Sequence, residues 1–296
     1  MILLTGATGF LGKTIIKELG PAVSASVGRS DSTFNVDLSR DIARITGQYE
    51  IVVHAAGKAH SVPKNADERQ MFFDVNVTGT ANLLKGLEQL DVLPKAFVFI
   101  SSVAVYGMNT GNAIDENSPL NAVDAYGKSK IEAEIIVSNW CLKHGIVCSI
   151  LRLPLLAGPN PPGNLAAMIK GLEKNYYFNI AGGTARKSMV LASDVALIIP
   201  VVAKIGGIYN LTDGCHPSFS ELSIKIAEQL GKAKPMNIPY GIASLIAKIG
   251  DLLGTKAPLN SNKFKKIVTD LTFDDRKARE LLKWSPMPVL KEFLIE

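Results

Sequence analysis

Cysteine is scarce in this chain: three in 296 residues, at Cys141, Cys148 and Cys215. The number is odd and no C-x-x-C spacing occurs, so neither a disulfide framework nor a cysteine zinc site is expected. The four histidines lack ligand spacing too, and no metal is expected. No apolar run approaches the roughly 18 residues that a membrane-spanning helix needs. The longest amphipathic stretch, Tyr240 to Gly254, reads as a helix that packs into a core or a dimer rather than onto a membrane. There is no internal repeat and no low-complexity tract. No Lys/Arg block dominates either; the densest cluster, Lys263, Lys265 and Lys266, reads as a solvated helix face. A net charge of +5 does not require nucleic acid and suits an anionic small-molecule substrate. The first strand begins at residue 2 and leaves no room for a cleavable leader, so a cytoplasmic protein is expected.

What is present is ordinary in amount and specific in arrangement. The chain is 47% hydrophobic and 20% charged, enough for one large or two modest globular domains. It opens with MILLTGATGFLG. Ile2-Leu3-Leu4 is a short apolar strand, Gly6, Gly9 and Gly12 follow, and Lys13 to Leu19 has helical spacing. A strand that turns through glycines into a helix lets backbone N–H groups approach a pyrophosphate and aims the positive helix end at it. The spacing is G-x-x-G-x-x-G, not G-x-G-x-x-G. Nucleotide binding is the expectation.

Ala22 to Val27 reads as a second strand, with Arg29 and Ser30 at the tip where a dinucleotide's adenosine ribose would lie. An Arg there accommodates a 2′-phosphate, so NADP(H) is favoured over NAD(H), although Asp31 could serve NAD. Val36-Asp37-Leu38 reads as a short third strand whose Asp37 could receive the adenine amino group. Ile51 to His54 is a fourth strand running into Ala55, Ala56 and Gly57, small residues that leave room for the middle of the cofactor. His54 reads as a packed strand-end residue. Phe72 to Leu84 reads as a helix with Asn76 inside it, a position that needs a specific hydrogen-bond partner. Ala96 to Ile100 is an apolar strand ending at Ser101 and Ser102, and a long helix starts near Ala125.

Alternating strands and helices through residue 155 predict a doubly wound parallel α/β sheet. The Pro/Gly-rich run from Leu155 to Asn164 marks a domain change, which gives residues 1–155 for the nucleotide and 156–296 mainly for substrate, with segments near 190–212 returning to the sheet. Later helices are expected over Leu165 to Glu173, Ser220 to Leu230 and Asp274 to Leu282.

Tyr126 and Lys130 lie at i and i+4 on one helix face, and Ser102 stands at a strand's C-terminal end. A phenol with a pKa near 10 needs a shift of about 3 units to act as acid and base near neutrality. A neighbouring ammonium such as Lys130 and an oxidised nicotinamide could both contribute. The set suits proton transfer at a hydroxyl while hydride moves at its carbon.

In order and spacing, TGATGFLG, HAAG, DVNVTGT, SSVAVYG and YGKSK resemble the extended short-chain dehydrogenase/reductases that act on nucleotide sugars. The resemblance implies a Rossmann-type sheet with a smaller C-terminal α/β substrate domain, and Ser102, Tyr126 and Lys130 as catalytic residues. It implies that Gly6, Gly9 and Gly12 cradle the pyrophosphate. Thr8, Phe10, Leu11, Leu38 and Pro154 also fall on the cofactor side, with Asn76 as a cofactor or proton-relay contact. Asn164 and Arg186 match positions that hold a substrate diphosphate, where the planar fork of Arg pairs with phosphate oxygens. The dehydratases of the family carry Asp-Glu after the Ser or Thr; Val103 and Ala104 stand here, which disfavours dehydration. The expected function is a UDP-sugar 4-keto reductase, with a UDP-hexose 4-epimerase retaining NAD as the alternative. A non-enzymatic sensor has no use for the Ser/Tyr/Lys set. The helices around Leu83 to Leu90 and Ile131 to Trp140 fit either a homodimer interface or burial within one chain.

Overall fold

The computed structural model describes residues 1–295 except residues 60 and 258. From the N-terminus, β1 (Ile2–Thr5) enters the glycine turn and α1 (Phe10–Leu19), followed by β2 (Val23–Gly28) and β3 (Phe34–Asn35). Then come β4 (Ile51–His54), α2 (Ala66–Phe73), α3 (Gly79–Leu87), β5 (Ala96–Ser102), β6 (Gly111–Ile114), α4 (Ala125–His144) and β7 (Val147–Leu153). The second half runs β8 (Leu155–Ala157), α5 (Gly163–Glu173), β9 (Asn179–Ile180), β10 (Met189–Leu191), α6 (Ala192–Ile205) and β11 (Gly207–Asn210). It ends with α7 (Phe219–Gln229), β12 (Asn237–Ile238), α8 (Tyr240–Gly250), α9 (Ser261–Val268), β13 (Leu271–Phe273), α10 (Arg276–Leu282) and α11 (Val289–Glu292).

Seven strands form one parallel sheet in the order β11-β7-β5-β4-β1-β2-β3. Strand order reverses between β1 and β4, so a crevice for a ligand opens beyond their C-terminal ends. Both faces are covered, which is why the strands read as near-continuous apolar runs. On one face α1 and α6 bury Ile15, Val195, Ile199 and Val202. On the other, α3 and α4 bury Leu83, Leu87, Val137 and Trp140, so within one chain those helices already have a use for their apolar sides. The strand after residue 206 does join this sheet, as β11 beside β7. Three two-stranded pairs lie outside it: β8 with β10, β9 with β12, and β6 with β13.

Three expectations need correction. The third strand is Phe34–Asn35; Val36 still donates its N–H to the Gly28 carbonyl, but Asp37 closes a turn on Ser39, accepting from its N–H (3.1 Å) and hydroxyl (2.7 Å). The helix expected over Phe72 to Leu84 is α2 and α3 joined by a π-helical turn, Asp74–Thr78, with Asn76 in the widened turn. The helix expected from Asp274 starts two residues later, as α10 at Arg276, because the chain has just left β13, where Leu271 and Phe273 pair with β6. In α8 the core takes only Ala243, Ala247 and Gly250, and the large apolar residues face outward.

Candidate active site

The turn after β1 is fixed by close approach. Gly6 has φ +74°, and a Cβ there would lie 2.7 Å from the Ala56 nitrogen. A Cβ on Gly12 would run into the Gly6 carbonyl. The turn at Gly6 therefore packs backbone to backbone on Ala55 and Ala56 at the strand-order reversal, and the start of α1 packs on the turn itself. α1 is capped by Gly9 without a side-chain bond, and its first turn carries no acidic side chain, which leaves the positive helix end available to an anion. Thr8 and Gly9 are exposed and Phe10 is half-buried. Leu11 is buried in the core, so what it can present to a ligand is backbone.

Beneath this turn runs a chain of five hydrogen-bonding groups with no signal in the sequence pattern. The Ala56 N–H donates to Thr5 Oγ1 (3.0 Å), and the Thr5 hydroxyl meets His54 Nδ1 at 2.6 Å. His54 Nε2 meets Thr80 Oγ1 at 2.9 Å, and the Thr80 hydroxyl donates to the Asn76 carbonyl (2.6 Å). Since Thr80 spends its proton on Asn76, it accepts from Nε2–H, and Nδ1 accepts from Thr5. The ring is therefore neutral with the proton on Nε2. Burial, with help from the Lys130 charge, lowers its pKa to about 3. A folded pKa below the unfolded value means stability that is present above about pH 6.5 and lost as pH falls toward 3. Wild-type protein should lose on the order of a few kcal/mol of unfolding free energy to this one group over that range. Denaturant titrations of wild type and His54→Gln at pH 7 and pH 4.5 test this: the wild type should lose more than the variant, and parallel losses would refute it.

Asn76 has the partners that its helical position demands. Its Oδ1 accepts from the Lys58 N–H (2.7 Å), and Nδ2 donates to the Lys58 carbonyl (3.1 Å) and Ser129 Oγ (2.9 Å). A Cβ on Gly57 would sit 3.1 Å from Asn76 Oδ1 and 3.3 Å from Lys130 Nζ, so these three residues meet at one point. Lys130 is buried, donates from Nζ to the Ile100 carbonyl (2.8 Å) and lies 4.7 Å from the centre of the Phe99 ring. Burial lowers its pKa to about 8, with Glu134 pulling the other way.

Tyr126 stands in the first turn of α4, whose N-cap Asp124 accepts from the Gly127 N–H (3.0 Å). Burial pushes the Tyr126 phenol up; hydrogen bonding with Ser102 opposes this, and the Asp124 charge adds to it. The sequence reading needed a downward shift with Lys130 as a contributor, and the protein alone supplies the opposite. The free phenol is a protonated acid near neutrality. Ser102 ends β5 and caps the short 3₁₀ turn Val103–Tyr106, its Oγ accepting from the Ala104 N–H (3.2 Å). Val103 packs against a hydrophobic cluster with Tyr106 and Phe273, so no carboxylate follows the serine.

A second buried network went unforeseen. Glu134, one turn beyond Lys130, takes Arg152 Nε (3.1 Å) and Nη2 (2.7 Å), and accepts from Ser101 Oγ. Arg152 Nη1 reaches Tyr106 Oη (3.1 Å), which donates to Asn210 Oδ1 (2.8 Å). A single Arg inside the apolar strand VCSILRL was the available signal, because a charge there must have a buried partner.

The remaining sequence-selected residues sit elsewhere. Arg29 is exposed just past β2 and near enough to lower the Asp37 pKa, after Ser39. The Leu38 carbonyl accepts from Asn82 Nδ2 (2.8 Å), and Pro154 is half-buried between β7 and β8. Asn164 is exposed in the first turn of α5. Arg186 precedes β10, half-exposed, with Nη1 bonded to the His216 carbonyl (3.0 Å) and to Glu221 (3.4 Å). Neither Asn164 nor Arg186 shares an element with Ser102, Tyr126 or Lys130.

The residues present fit a dinucleotide. A backbone cradle closed to a Cβ at Gly6 and Gly12 adjoins an uncapped helix end, and the buried Lys130 stands one helical turn after Tyr126 on α4. Bound there, NAD(P) would supply hydride chemistry.

Comparison with known proteins agrees. A 4-epimerase from Escherichia coli O157:H7, named for N-acetyl-α-D-glucosaminyl-diphospho-ditrans,octacis-undecaprenol, is 29% identical over 94% of this chain and 88% of its own length. A UDP-glucose 4-epimerase from Vibrio cholerae is 27% identical over 98% of this chain and 92% of its own. The UDP-glucose 4-epimerase of Thermotoga maritima, solved with UDP-glucose, shares the fold at a TM-score of 0.75, with 19% identity over 99% of this chain and 95% of its own. Residues 2–211 match the model of the NAD dependent epimerase/dehydratase family, and the chain belongs to that family.

Proposed function

We propose that this protein is an NAD(P)-dependent oxidoreductase acting at C4 of a sugar carried on a diphosphate, with UDP as the carrier and 4-keto reduction as the reaction. The observation that supports this reading is the meeting of Lys130 Nζ and Asn76 Oδ1 at Gly57, with Tyr126 one turn before Lys130 on α4 and Ser102 at the carboxyl end of β5. Tyr126 serves as acid and base, Ser102 holds the same sugar oxygen, and Lys130, anchored on Ile100, turns its remaining N–H groups to the cofactor ribose. Gly6, Gly9 and Gly12 cradle the pyrophosphate, and residues 156–296 supply most of the sugar-nucleotide contacts.

Reduction fits the protonation state. A ketone that receives hydride needs a proton, and Tyr126 is protonated in the free protein. Arg29, exposed at the tip of β2, supports NADPH over NADH. The second reading is 4-epimerisation with retained NAD, favoured by the two curated relatives, both 4-epimerases that this chain spans almost completely. The first of them also names a lipid diphosphate as carrier in place of UDP. Mass spectrometry of nucleotide released from heat-denatured protein separates the readings: an empty protein that prefers NADPH supports the reductase, and tightly held NAD supports the epimerase.

Arg186 and Asn164 are assigned to the substrate diphosphate. Both observed Arg186 contacts run through Nη1, so a phosphate can recruit the rest of the fork. Arg186→Ala should raise the substrate KM about 10- to 100-fold, as a lost charge-assisted contact does, and leave cofactor affinity nearly untouched. An unchanged KM in steady-state kinetics would remove Arg186 from the diphosphate site.

A further inference from the structure

Helix α8 is turned inside out for a surface helix. Its small residues face the protein: Ala243 and Ala247 pack with Phe264, Ile180, Ile238 and Leu259, and Gly250 is buried on the same side. Its large apolar residues face away. Ile242, Leu245, Ile246 and Ile249 follow the i, i+3, i+4, i+7 spacing of one stripe and continue into Leu252 and Leu253, with exposures from 44% at Ile246 to 87% at Leu252. Met236 and Tyr240, just before them, are exposed as well. A contiguous apolar stripe of this kind marks an interaction surface.

The charge around it selects the occupant. Seven lysines and one aspartate lie between Lys232 and Thr269, more positive charge than the net +5 of the whole chain. Lys248 on α8 and Lys265 and Lys266 on α9 are exposed, and the single Asp251 is turned to the Ser261 N–H and hydroxyl. A second copy would bring two such segments face to face and meet like charge. A layer of anionic headgroups meets opposite charge, with acyl chains behind it for the apolar stripe. No helix among the described residues is long and apolar enough to cross a membrane, so the contact is one that lies in the interface plane.

We propose that α8 and the Leu252–Leu253 turn dock this protein on an anionic lipid bilayer. The surface is continuous with the segment assigned to the substrate diphosphate. Asp270, just after α9, accepts from the Arg186 N–H (2.7 Å), and Lys187 Nζ donates to the carbonyls of Lys266 (2.9 Å) and Thr269 (2.8 Å). Docking through α8 and α9 therefore holds residues 186–187 beside the bilayer, where a sugar diphosphate carried by a membrane lipid would be presented. The docking itself holds whichever carrier and whichever C4 reaction the site uses.

The test is co-sedimentation of the purified full-length chain with phosphatidylcholine vesicles, with and without phosphatidylglycerol. The chain should pellet with the anionic vesicles and release as salt is raised. Leu245→Glu combined with Ile249→Glu should weaken this binding by about tenfold or more, and so should Lys265→Glu combined with Lys266→Glu. The lysine pair guards against misfolding of the apolar variant, and thermal melts check both. Failure of the wild type to bind anionic vesicles would overturn the proposal, as would equal binding to both lipid compositions. A dimer by light scattering that Leu245→Glu dissociates, without vesicle binding, would assign the stripe to a second copy instead. None of these readouts uses turnover, so they stand apart from the reading of the active site.

Discussion

Tyr126→Phe should reduce turnover by about 10²- to 10⁴-fold while NADPH binds nearly as well as to wild type. The substitution removes one oxygen from a ring that packs 6.1 Å from Phe72, so the helix start and the Asp124 cap stay in place. What disappears is the proton that must reach the sugar oxygen as hydride arrives at its carbon. Single-turnover kinetics and a fluorescence titration of NADPH would report the two quantities separately. Residual activity above a few per cent of wild type would end the assignment of Tyr126 as acid and base. Ser102→Ala should do less, because it removes a second hydrogen bond to the same oxygen and leaves the proton donor.

Glu134→Ala should destabilise the protein by about 3–5 kcal/mol, the usual cost of leaving one member of a buried ion pair without its partner. Arg152 is 3% exposed and would keep its charge beside Tyr106 with no carboxylate to answer it. Replacing both residues together, Glu134→Met with Arg152→Met, should cost less than Glu134→Ala alone, because no charge is then stranded. Denaturant unfolding of the three variants measures this. A Glu134→Ala loss below about 1 kcal/mol would show that the pair is not the buried brace described here. The consequence for chemistry is indirect. Glu134 is the group that raises the Lys130 pKa against burial, so its loss should favour the neutral amine near neutral pH.

The parts of this molecule that were legible in the sequence are those whose cause is local. Gly6 and Gly12 could be read because a Cβ on Gly6 would strike the backbone of Ala55 and Ala56, and one on Gly12 the backbone of Gly6 and Ala7. The parallel sheet could be read because strands buried on both faces are apolar throughout. Asn76 drew attention as a polar residue in a helix, and the π-turn that houses it shows why helical periodicity misplaced the boundaries. The Thr5–His54–Thr80 chain and the Glu134–Arg152 pair could not be read, because each joins residues far apart in the chain. Which side of α8 the protein covers was not legible, for a different reason. Periodicity identifies an amphipathic helix but not which side the protein covers, and here the covered side is the one with small residues.

Dehydration is the family reaction that the structure most clearly argues against. Protonating a leaving hydroxyl requires an acid beside the serine, and Val103 is instead part of an apolar cluster. The proposed reading keeps hydride exchange at one carbon and assigns the proton to Tyr126.

The measurement that bears most directly on this reading is the fate of NADPH mixed with purified protein and a UDP-4-keto sugar, using cofactor deuterated at the transferred position. The expected result is one NADPH oxidised per keto sugar consumed and deuterium at C4 of the product. Product without deuterium, or keto sugar left unreduced while the protein interconverts UDP-hexoses on a bound NAD, would contradict it.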